Sequence, residues 1–504
     1  MAIQYNLLQR GFKNVPSDVK PTGFQLLLKT AYYRGVRLSL VDDIEVTVDG
    51  ERFERNKVSV QIGGHTYTLD QLEKIGNKNW DWLEPAVVTV EKPGGLKPGV
   101  HDVQAALKLR ISYMPFNPVV SYFRDKLVLM PHGNSALLAT KPKVKLSVSL
   151  YSYNGDLQAG TMTLEDCLAD LSDMGADGVE FLPEAIVPNY PKPPKKWVAQ
   201  WFKWMEKYHL TPVALDGGAD TKLYKHRKLS ANEIVKLIEI DLKLANTLGC
   251  TVYRGLGSSW PSALDVSGNI SHTVDWKKGI TPYQIYEKLI PIAEKYDVKM
   301  GEELHIPFLI ESDWLEETIK LIDKTGTKHL GFVPDMSIFV RRPPKHLSPE
   351  RFIGGGVPKE VVDYVYESRE NLVSEEEVKA KVMTMGAGPM GIPLVAMIYH
   401  LTYSTKDRNE AKQLARLVPY SVHIHGKAYD VLEDLSDEYS IPYSEVIPVL
   451  AHEGYANYIS SEYEGDRAPF AASNQVRRQQ LMIRQMWNAA LEDRHQTLTA
   501  RTHG

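Results

Sequence analysis

Hydrophobic and polar residues alternate with different periods on the two sides of about residue 140. In the N-terminal part, apolar residues occupy every second position, as in Ile44, Val46 and Val48, and turn-forming glycines and prolines separate the runs. This period is that of strands with one buried face. Since no helical period interrupts these runs, the pattern predicts an all-β, sandwich-like domain over residues 1–135, followed by a linker over residues 136–143.

From Val144 onward, short apolar runs alternate with amphipathic helical stretches. Alternation of this kind is typical of parallel strands joined by helices. The predicted strands are 146–150, 178–182, 210–215, 251–254, 298–303, 330–335, 421–425 and 458–462. Eight such strands predict an α/β fold, a (β/α)₈ TIM barrel over residues 144–504. The long span between the sixth and seventh strands, about residues 340–415, predicts extra helices.

Composition and charge exclude several classes of function. Lys plus Arg is 59 and Asp plus Glu is 63, a net charge of −4, which lacks the basic excess of a nucleic-acid binder. The only cysteines are Cys167 and Cys250, too few for a disulfide framework or a thiolate metal cluster. The N-terminus lacks the layout of a signal peptide, and no apolar run reaches membrane-spanning length. We therefore expect a cytoplasmic protein without membrane contact. No glycine-rich nucleotide-binding pattern follows an early strand, so we expect no bound nicotinamide cofactor.

Four of the late strands end in polar residues of metal-binding type. Because catalytic residues of such barrels lie at the carboxyl ends of the strands, these side chains are expected to meet at one mouth. The four sequences are Gly301-Glu302-Glu303-Leu304-His305, Val333-Pro334-Asp335, Val422-His423-Ile424-His425 and Ile459-Ser460-Ser461-Glu462. Carboxylates and imidazole together favour a divalent ion such as Mn²⁺ or Mg²⁺, with Co²⁺ or Zn²⁺ also compatible. Glu303 shares a strand face with His305, which favours it over Glu302.

The same strand ends resemble those of the sugar phosphate isomerase/epimerase superfamily of xylose isomerase-like barrels. That superfamily ends its last four strands in Glu-x-His, Asp, His-x-Lys and Glu. The corresponding residues here are Glu303-Leu304-His305, Asp335, His425-Gly426-Lys427 and Glu462. The resemblance implies that Glu303, Asp335, His425 and Glu462 are the metal ligands, with His425 favoured over His423.

A closer resemblance is to the bacterial C-glycoside deglycosidases. The barrel region is similar to their α subunit in stretches such as SLYSYNGDLQAGTMTLEDCLADLSDMGADGVEFLPE, GFVPDMSIFVRR, HIHGKAYD and YISSEYEGDR. The N-terminal region resembles their small β subunit, which in the family is a separate chain. The resemblance implies a fused enzyme, and we expect a homo-oligomer.

The family resemblance implies cleavage of the carbon–carbon bond between a sugar and an aromatic aglycone. Family enzymes act on a sugar that a separate oxidoreductase has already converted to a 3-ketone, and the C2 proton is then removed before the aglycone leaves by β-elimination. A bound divalent metal, most simply Mn²⁺, would stabilise the developing negative charge. His305 is the expected base, although it could instead be a fifth ligand or support a ligand. Lys427 could polarise the oxyanion or donate a proton.

Further residues at the predicted mouth are candidates for substrate contact. Arg254 and Arg467 are candidates for hydroxyl contacts, and ion pairs would explain them equally well. Tyr153 and Trp260 could stack on the aglycone or belong to the core, and Glu180 and His423 could also contact substrate. Two alternatives remain open for the whole protein: a metal-dependent sugar isomerase or epimerase that works through an enediolate, and a carbohydrate-binding protein without catalysis.

Overall fold

A computed structural model gives the three-dimensional structure of the chain. It describes residues 6–17, 20–32, 34–131, 138, 142–218, 223–227, 229–256 and 282–502. The chain divides into two compact units. The first comprises residues 1–141 and 173–175, and the second comprises residues 142–172 and 176–504.

The first unit consists of antiparallel strands. Its described strands are β1 (Leu7–Val15), β2 (Gly23–Leu28), β3 (Val36–Arg37), β4 (Val41–Val48), β5 (Glu51–Arg52), β6 (Val58–Ile62), β7 (His65–Thr68), β8 (Asn79–Trp80), β9 (Ala86–Glu91), β10 (Gly99–Leu109) and β11 (Val119–Leu129). One short helix, α1 (Leu69–Leu72), follows β7. The strands form a sheet of order β1-β2-β9-β6-β7, a second sheet of order β11-β10-β4-β5 and a separate β3-β8 pair.

Alternation along the strands places one face of each sheet in a shared core. In β4, Ile44, Val46 and Val48 are buried while the residues between them are only partly buried. Strand β2 contributes Phe24 and Leu26 to the same hydrophobic cluster. Because this cluster joins side chains from both main sheets, the predicted sandwich-like fold is confirmed.

The second unit contains eight parallel strands arranged as a barrel. They are β12 (Lys145–Ser149), β13 (Gly178–Phe181), β14 (Thr211–Asp216), β15 (Val252–Leu256), β16 (Lys299–Leu304), β17 (Leu330–Pro334), β18 (Ile424–Ala428) and β19 (Tyr458–Tyr463). Their order is β17-β16-β15-β14-β13-β12-β19-β18. Parallel bridges from Phe332 to Ser421 and from Asp335 to His425 connect the two end strands and close the sheet. The predicted (β/α)₈ barrel is confirmed.

Helices connect the barrel strands. The described helices are α2 (Asn154–Ala159), α3 (Leu164–Asp173), α4 (Pro183–Ile186), α5 (Lys195–Tyr208), α6 (Ala231–Leu248), α7 (Pro282–Tyr296), α8 (Asp313–Thr325), α9 (Pro349–Gly354), α10 (Lys359–Glu370), α11 (Glu375–Thr384), α12 (Gly391–Leu401), α13 (Tyr443–His452) and α14 (Ala471–Thr502). Local sequence explains several of the helix ends. Ser230 and Glu233 form a reciprocal capping box at the start of α6, and Gly249 ends the same helix in a left-handed conformation.

Helices α9–α12 form an insertion between β17 and β18. They have a hydrophobic cluster of their own, which includes Val361, Val365, Val378, Val382 and Leu394. The extra helices predicted in this span are therefore present. Among the described residues, none of the helices combines the length and the apolar character that crossing a membrane requires.

The seventh barrel strand begins three residues later than the sequence predicts. The expected strand over residues 421–425 lies mostly in a connection, because Val418–Tyr420 forms a 3₁₀ turn and the ladder with β19 starts only at Ile424. His425 is consequently the second residue of β18 rather than its last. Lys427 therefore lies within the same strand and on the same face as His425.

Candidate metal centre

Four buried side chains from the last four strands converge inside the barrel. Ligand atoms of Glu303, Asp335, His425 and Glu462 all lie within 4.8 Å of one another. The Nδ1 atom of His425 is 2.8 Å from a Glu303 oxygen, 3.3 Å from a Glu462 oxygen and 3.7 Å from an Asp335 oxygen. The strand ladders explain the convergence, because neighbouring parallel strands place their carboxyl ends at one edge.

The alternation of β16 decides which of two adjacent glutamates joins this group. Glu303 points into the barrel, whereas Glu302 points to the opposite face. There the carboxylate of Glu302 packs next to Gly255, with an oxygen 3.5 Å from where a Cβ on that glycine would lie. Asp335 directly follows β17, and its carboxylate accepts a hydrogen bond from the backbone N–H of Ser337 at 2.7 Å. That bond fixes one carboxylate oxygen and leaves the other facing the group.

Two buried cations compensate the negative charge of the group. Lys427 Nζ lies 2.7 Å from Glu462 and 3.4 Å from Asp335. Arg254 lies 3.5 Å from the second oxygen of Glu303. Burial opposes ionisation of Glu303, but Arg254 and His425 prevail and lower its pKa to about 2. Burial likewise opposes the charge on Glu462, yet Lys427 and His425 hold its pKa well below the ordinary value. These carboxylates are therefore ionised at neutral pH.

Several buried polar atoms of the group make no hydrogen bond of regular geometry, although charged side chains lie close to them. They are Oδ2 of Asp335, Oε2 of Glu462 and both ring nitrogens of His425. Buried polar atoms without such a hydrogen bond are costly, and a bound cation is one common explanation for them. Three carboxylates and one imidazole supply the oxygen and nitrogen donors that Mn²⁺, Co²⁺ or Zn²⁺ accept. The residues present thus fit a divalent metal ion.

Glu180 and His423 lie behind His425, deeper in the barrel. One Glu180 oxygen is 2.6 Å from His423 Nε2, and the other is 3.0 Å from His425 Nε2. All three side chains are completely buried. One oxygen of Glu180 is thus engaged by His423, and the contact of these two side chains with substrate stays a prediction.

Tyr153 lies in the interior of the second unit. It is completely buried, and its hydroxyl donates to Asp170 at 2.7 Å rather than facing an open mouth. Asp170 in turn pairs with Arg477 at 2.7 Å. Tyr153 therefore packs in the core, which is one of the two alternatives that the sequence left open, and an aglycone contact stays a prediction. The corresponding expectation for Trp260 lies outside the described residues.

The remaining predicted residues occupy distinct positions around the group. Arg254 lies between Asp216, at 3.3 Å, and Glu303, at 3.5 Å. Its guanidinium therefore forms buried ion pairs with carboxylates of the barrel. Arg467 is exposed, with its guanidinium 5.1 Å from the ring centre of Tyr151. His305 is partly buried just after β16, and its Nδ1 is 2.7 Å from the carbonyl oxygen of Ile306.

The structure adds residues that the sequence did not single out. Glu464 accepts a hydrogen bond from the Tyr151 hydroxyl at 2.8 Å and another from Lys427 at 2.9 Å. Burial, followed by the Glu464 charge, raises the pKa of Tyr151 to about 12. Asp216, the last residue of β14, is buried against Arg254. The sequence could have indicated Asp216, because it ends a barrel strand as Glu462 does in the predicted strand 458–462.

Comparisons with known proteins agree with the division of the chain. Residues 3–113 match the family model of the C-glycoside deglycosidase beta subunit. A C-glycoside deglycosidase beta subunit of Eubacterium cellulosolvens is 37% identical over 126 residues, which cover 24% of this chain and 84% of the relative. A 3'-dehydrocarminate deglycosidase alpha subunit of a Microbacterium species is 26% identical over 337 residues, which cover 64% of this chain and 88% of the relative.

The solved structures that are similar to this chain include a D-psicose 3-epimerase from Clostridium cellulolyticum H10. Its TM-score is 0.40, and it is 12% identical over 69% of this chain and 97% of the epimerase. The subunit relatives and the closed barrel with its buried acidic group lead to one assignment. The chain belongs to the C-glycoside deglycosidase family and combines a β-subunit-like region with an α-subunit-like barrel.

Proposed function

We propose that the protein is a metal-dependent carbon–carbon lyase that releases the aromatic aglycone from 3-oxo C-glycosides. The observation that carries the proposal is the convergence of Glu303, Asp335, His425 and Glu462 in a barrel similar to deglycosidase α subunits. A divalent ion held by these four residues, with Mn²⁺ as the first candidate, would act as a Lewis acid toward the sugar oxygens at C2 and C3.

His305 is the proposed base. Its Nδ1 lies 2.7 Å from a carbonyl oxygen, which can only accept, so Nδ1 carries the proton of the neutral ring. Its Nε2 therefore holds the lone pair that can take the C2 proton. His305 directly follows β16, one residue beyond the strand that supplies Glu303, and this adjacency supports the proposal.

Lys427 is the proposed fixed cation of the site. Burial opposes its charge, but Asp335 and Glu462 raise its pKa well above the ordinary value. A lysine that keeps its proton stabilises a nearby oxyanion better than it supplies a proton. We therefore assign Lys427 to stabilisation of the enediolate and of the carboxylates around it. Arg467, exposed beside Tyr151, remains a candidate for a substrate hydroxyl.

The reaction balances without water or a further reactant. The base takes the C2 proton, and the C–H electrons pass into an enediolate across C2 and C3. When the C3 carbonyl re-forms, a C1–C2 double bond forms and the bond from C1 to the aglycone breaks with both electrons on the aglycone carbon. That carbon takes up one proton, equal to the proton lost from C2. A separate oxidoreductase is the proposed source of the 3-ketone, because no glycine-rich nicotinamide-binding pattern follows an early strand of this sequence.

The proposal is tested with a 3-oxo C-glycoside and the purified protein loaded with Mn²⁺. We expect free aglycone by chromatography and a slower reaction with substrate deuterated at C2, because the C2–H bond breaks. Interconversion of aldose and ketose without any aglycone release would overturn the lyase and favour the isomerase alternative. Binding of the glycoside without turnover would favour a carbohydrate-binding protein.

A further inference from the structure

His425 has acidic partners on both sides of its ring. Its Nδ1 faces the group of proposed ligands, with Glu303 at 2.8 Å and Glu462 at 3.3 Å. Its Nε2 faces away from that group, with Glu180 at 3.0 Å. The two nitrogens of an imidazole point in divergent directions, so only Nδ1 can serve the ligand group in this orientation.

Glu180 has a histidine nitrogen close to each of its two oxygens. It is the third residue of β13 and completely buried. The oxygen that does not face His425 is 2.6 Å from Nε2 of His423. The rings of His423 and His425 come from one face of the same chain segment, with centroids 5.7 Å apart and planes at 88°. A carboxylate that lies between two nearly perpendicular rings, hydrogen-bonded to one and 3.0 Å from the other, has little freedom to rotate.

We propose that Glu180 is a positioning residue that holds the His425 ring with Nδ1 toward Glu303, Asp335 and Glu462, and that His423 braces Glu180. This inference rests on the proposed function, because it requires a metal ion at those four residues. A carboxylate beside Nε2 favours the tautomer with its proton there, which leaves the Nδ1 lone pair for a metal and increases its basicity. Loss of such a partner lowers metal affinity by roughly 10- to 100-fold.

Glu180→Gln tests the inference, because glutamine keeps the size of the side chain and removes its charge. We expect the dissociation constant for Mn²⁺, measured by competition with a fluorescent chelator, to rise by roughly 10- to 100-fold, with one ion still bound per chain. The absorption bands of the Co²⁺-loaded protein should shift, since they report the geometry of the ligands. Glu184→Gln is the matched control: Glu184 is exposed four residues away in α4, and both readouts should stay at wild-type values.

His423→Phe is the second variant and decides the matter if Glu180→Gln does not fold, because phenylalanine keeps a ring and has no atom that can hydrogen-bond Glu180. It removes the brace while Glu180 and His425 remain, so we expect a smaller loss of Mn²⁺ affinity in the same direction, and wild-type affinity would overturn the inference. Two bound ions in the wild type and one in Glu180→Gln would also overturn it, because Glu180 would then be a ligand.

Glu462→Ala separates this inference from the proposed function. Wild-type Mn²⁺ affinity in Glu180→Gln, together with loss of Mn²⁺ in Glu462→Ala, overturns the positioning role alone. Failure of the wild-type protein to bind Mn²⁺, Co²⁺ or Zn²⁺ overturns the metal site and the positioning role together.

Discussion

The two units of the chain differ in how far their ion pairs are buried. In the β-rich unit, ion pairs lie at the surface of an apolar core; Arg55, for example, pairs with Asp43, Asp70 and Glu73 and keeps a third of its side chain exposed. In the barrel, Lys427 and Glu462 pair with only 3% and 4% of their side chains exposed. Exposed pairs contribute little to stability, whereas buried charges are costly and must be compensated by partners. The buried pairs lie in the barrel, beside the proposed metal ligands.

The largest effect is expected from removal of a proposed ligand. Glu462→Ala should lose bound Mn²⁺ during dialysis and lower turnover by on the order of 10³-fold, because the electrostatic stabilisation of the enediolate goes with the metal. Metal content by mass spectrometry and aglycone release measure the two effects. Glu51→Ala, which removes a half-exposed carboxylate in the β-rich unit, should change neither. Full metal content in Glu462→Ala would contradict the ligand assignment.

Removal of the proposed base should separate catalysis from metal binding. His305→Ala should lower turnover by roughly 10²- to 10⁴-fold and leave Mn²⁺ content unchanged, because the base takes a proton and holds no ion. His329→Ala is the control, since His329 precedes β17 at the other end of the barrel and pairs with the exposed Asp297. Loss of Mn²⁺ in His305→Ala would show that His305 is a ligand.

A pair of lysine variants compares the two kinds of ion pair directly. Lys427→Met should lower the free energy of unfolding by about 3–5 kcal/mol, because Glu462, Asp335 and Glu464 lose a buried partner. Lys108→Met, which removes the pairs with Glu45 and Asp43 in the β-rich unit, should cost no more than about 1 kcal/mol. Urea unfolding of the protein without added metal measures both. Equal losses would contradict the distinction between the units.

The last prediction concerns pH, and its effect per pH unit is smaller than the loss expected for Lys427→Met. Asp241 of α6 accepts a hydrogen bond from Tyr190 at 2.6 Å, and burial raises its pKa to about 7. The unfolded carboxyl titrates near ~4, so between about pH 4 and 7 the folded chain holds a proton that the unfolded chain has lost. Stability should therefore fall as pH rises through this window, by at most about 1.4 kcal/mol per pH unit.

Asp241→Asn should remove that part of the pH dependence, since an amide does not titrate. Unfolding curves of both proteins between pH 4 and 8 measure it. Glu165→Gln serves as the control, because its exposed carboxylate pairs with Lys207 and has a lowered pKa. Identical slopes for wild type and Asp241→Asn would contradict the raised pKa.

The sequence by itself predicts the barrel strands closely where period and glycine or proline boundaries coincide, as at β13 and β17. It also predicts which residues of β16 and β19 face inward, because side chains of a strand alternate with a period of two. The same rule misplaces β18, because the first and last residues of a strand depend on where its hydrogen bonds to the neighbouring strand begin and end. Here the ladder begins only at Ile424.

Tyr151 and Tyr153 show where local pattern stops being informative. Both follow β12, and a strand would place them on one face. The chain instead turns through a 3₁₀ segment, Leu150–Tyr153. The hydroxyl of Tyr151 therefore bonds Glu464 near the proposed metal ligands, and that of Tyr153 bonds Asp170 in the core. The partners are 313 and 17 residues away in sequence.

The sequence determined the two units, the barrel and the set of strand-end carboxylates, because these follow from periodicity and short-range geometry. Only the tertiary structure decided how the charges pair: that Glu180 and His423 lie behind His425, that Arg254 supports Glu303, and that Lys427 lies among acidic groups. Such pairings depend on distances between strands far apart in the chain. Their energies depend on burial, which the closed barrel creates and no local pattern records.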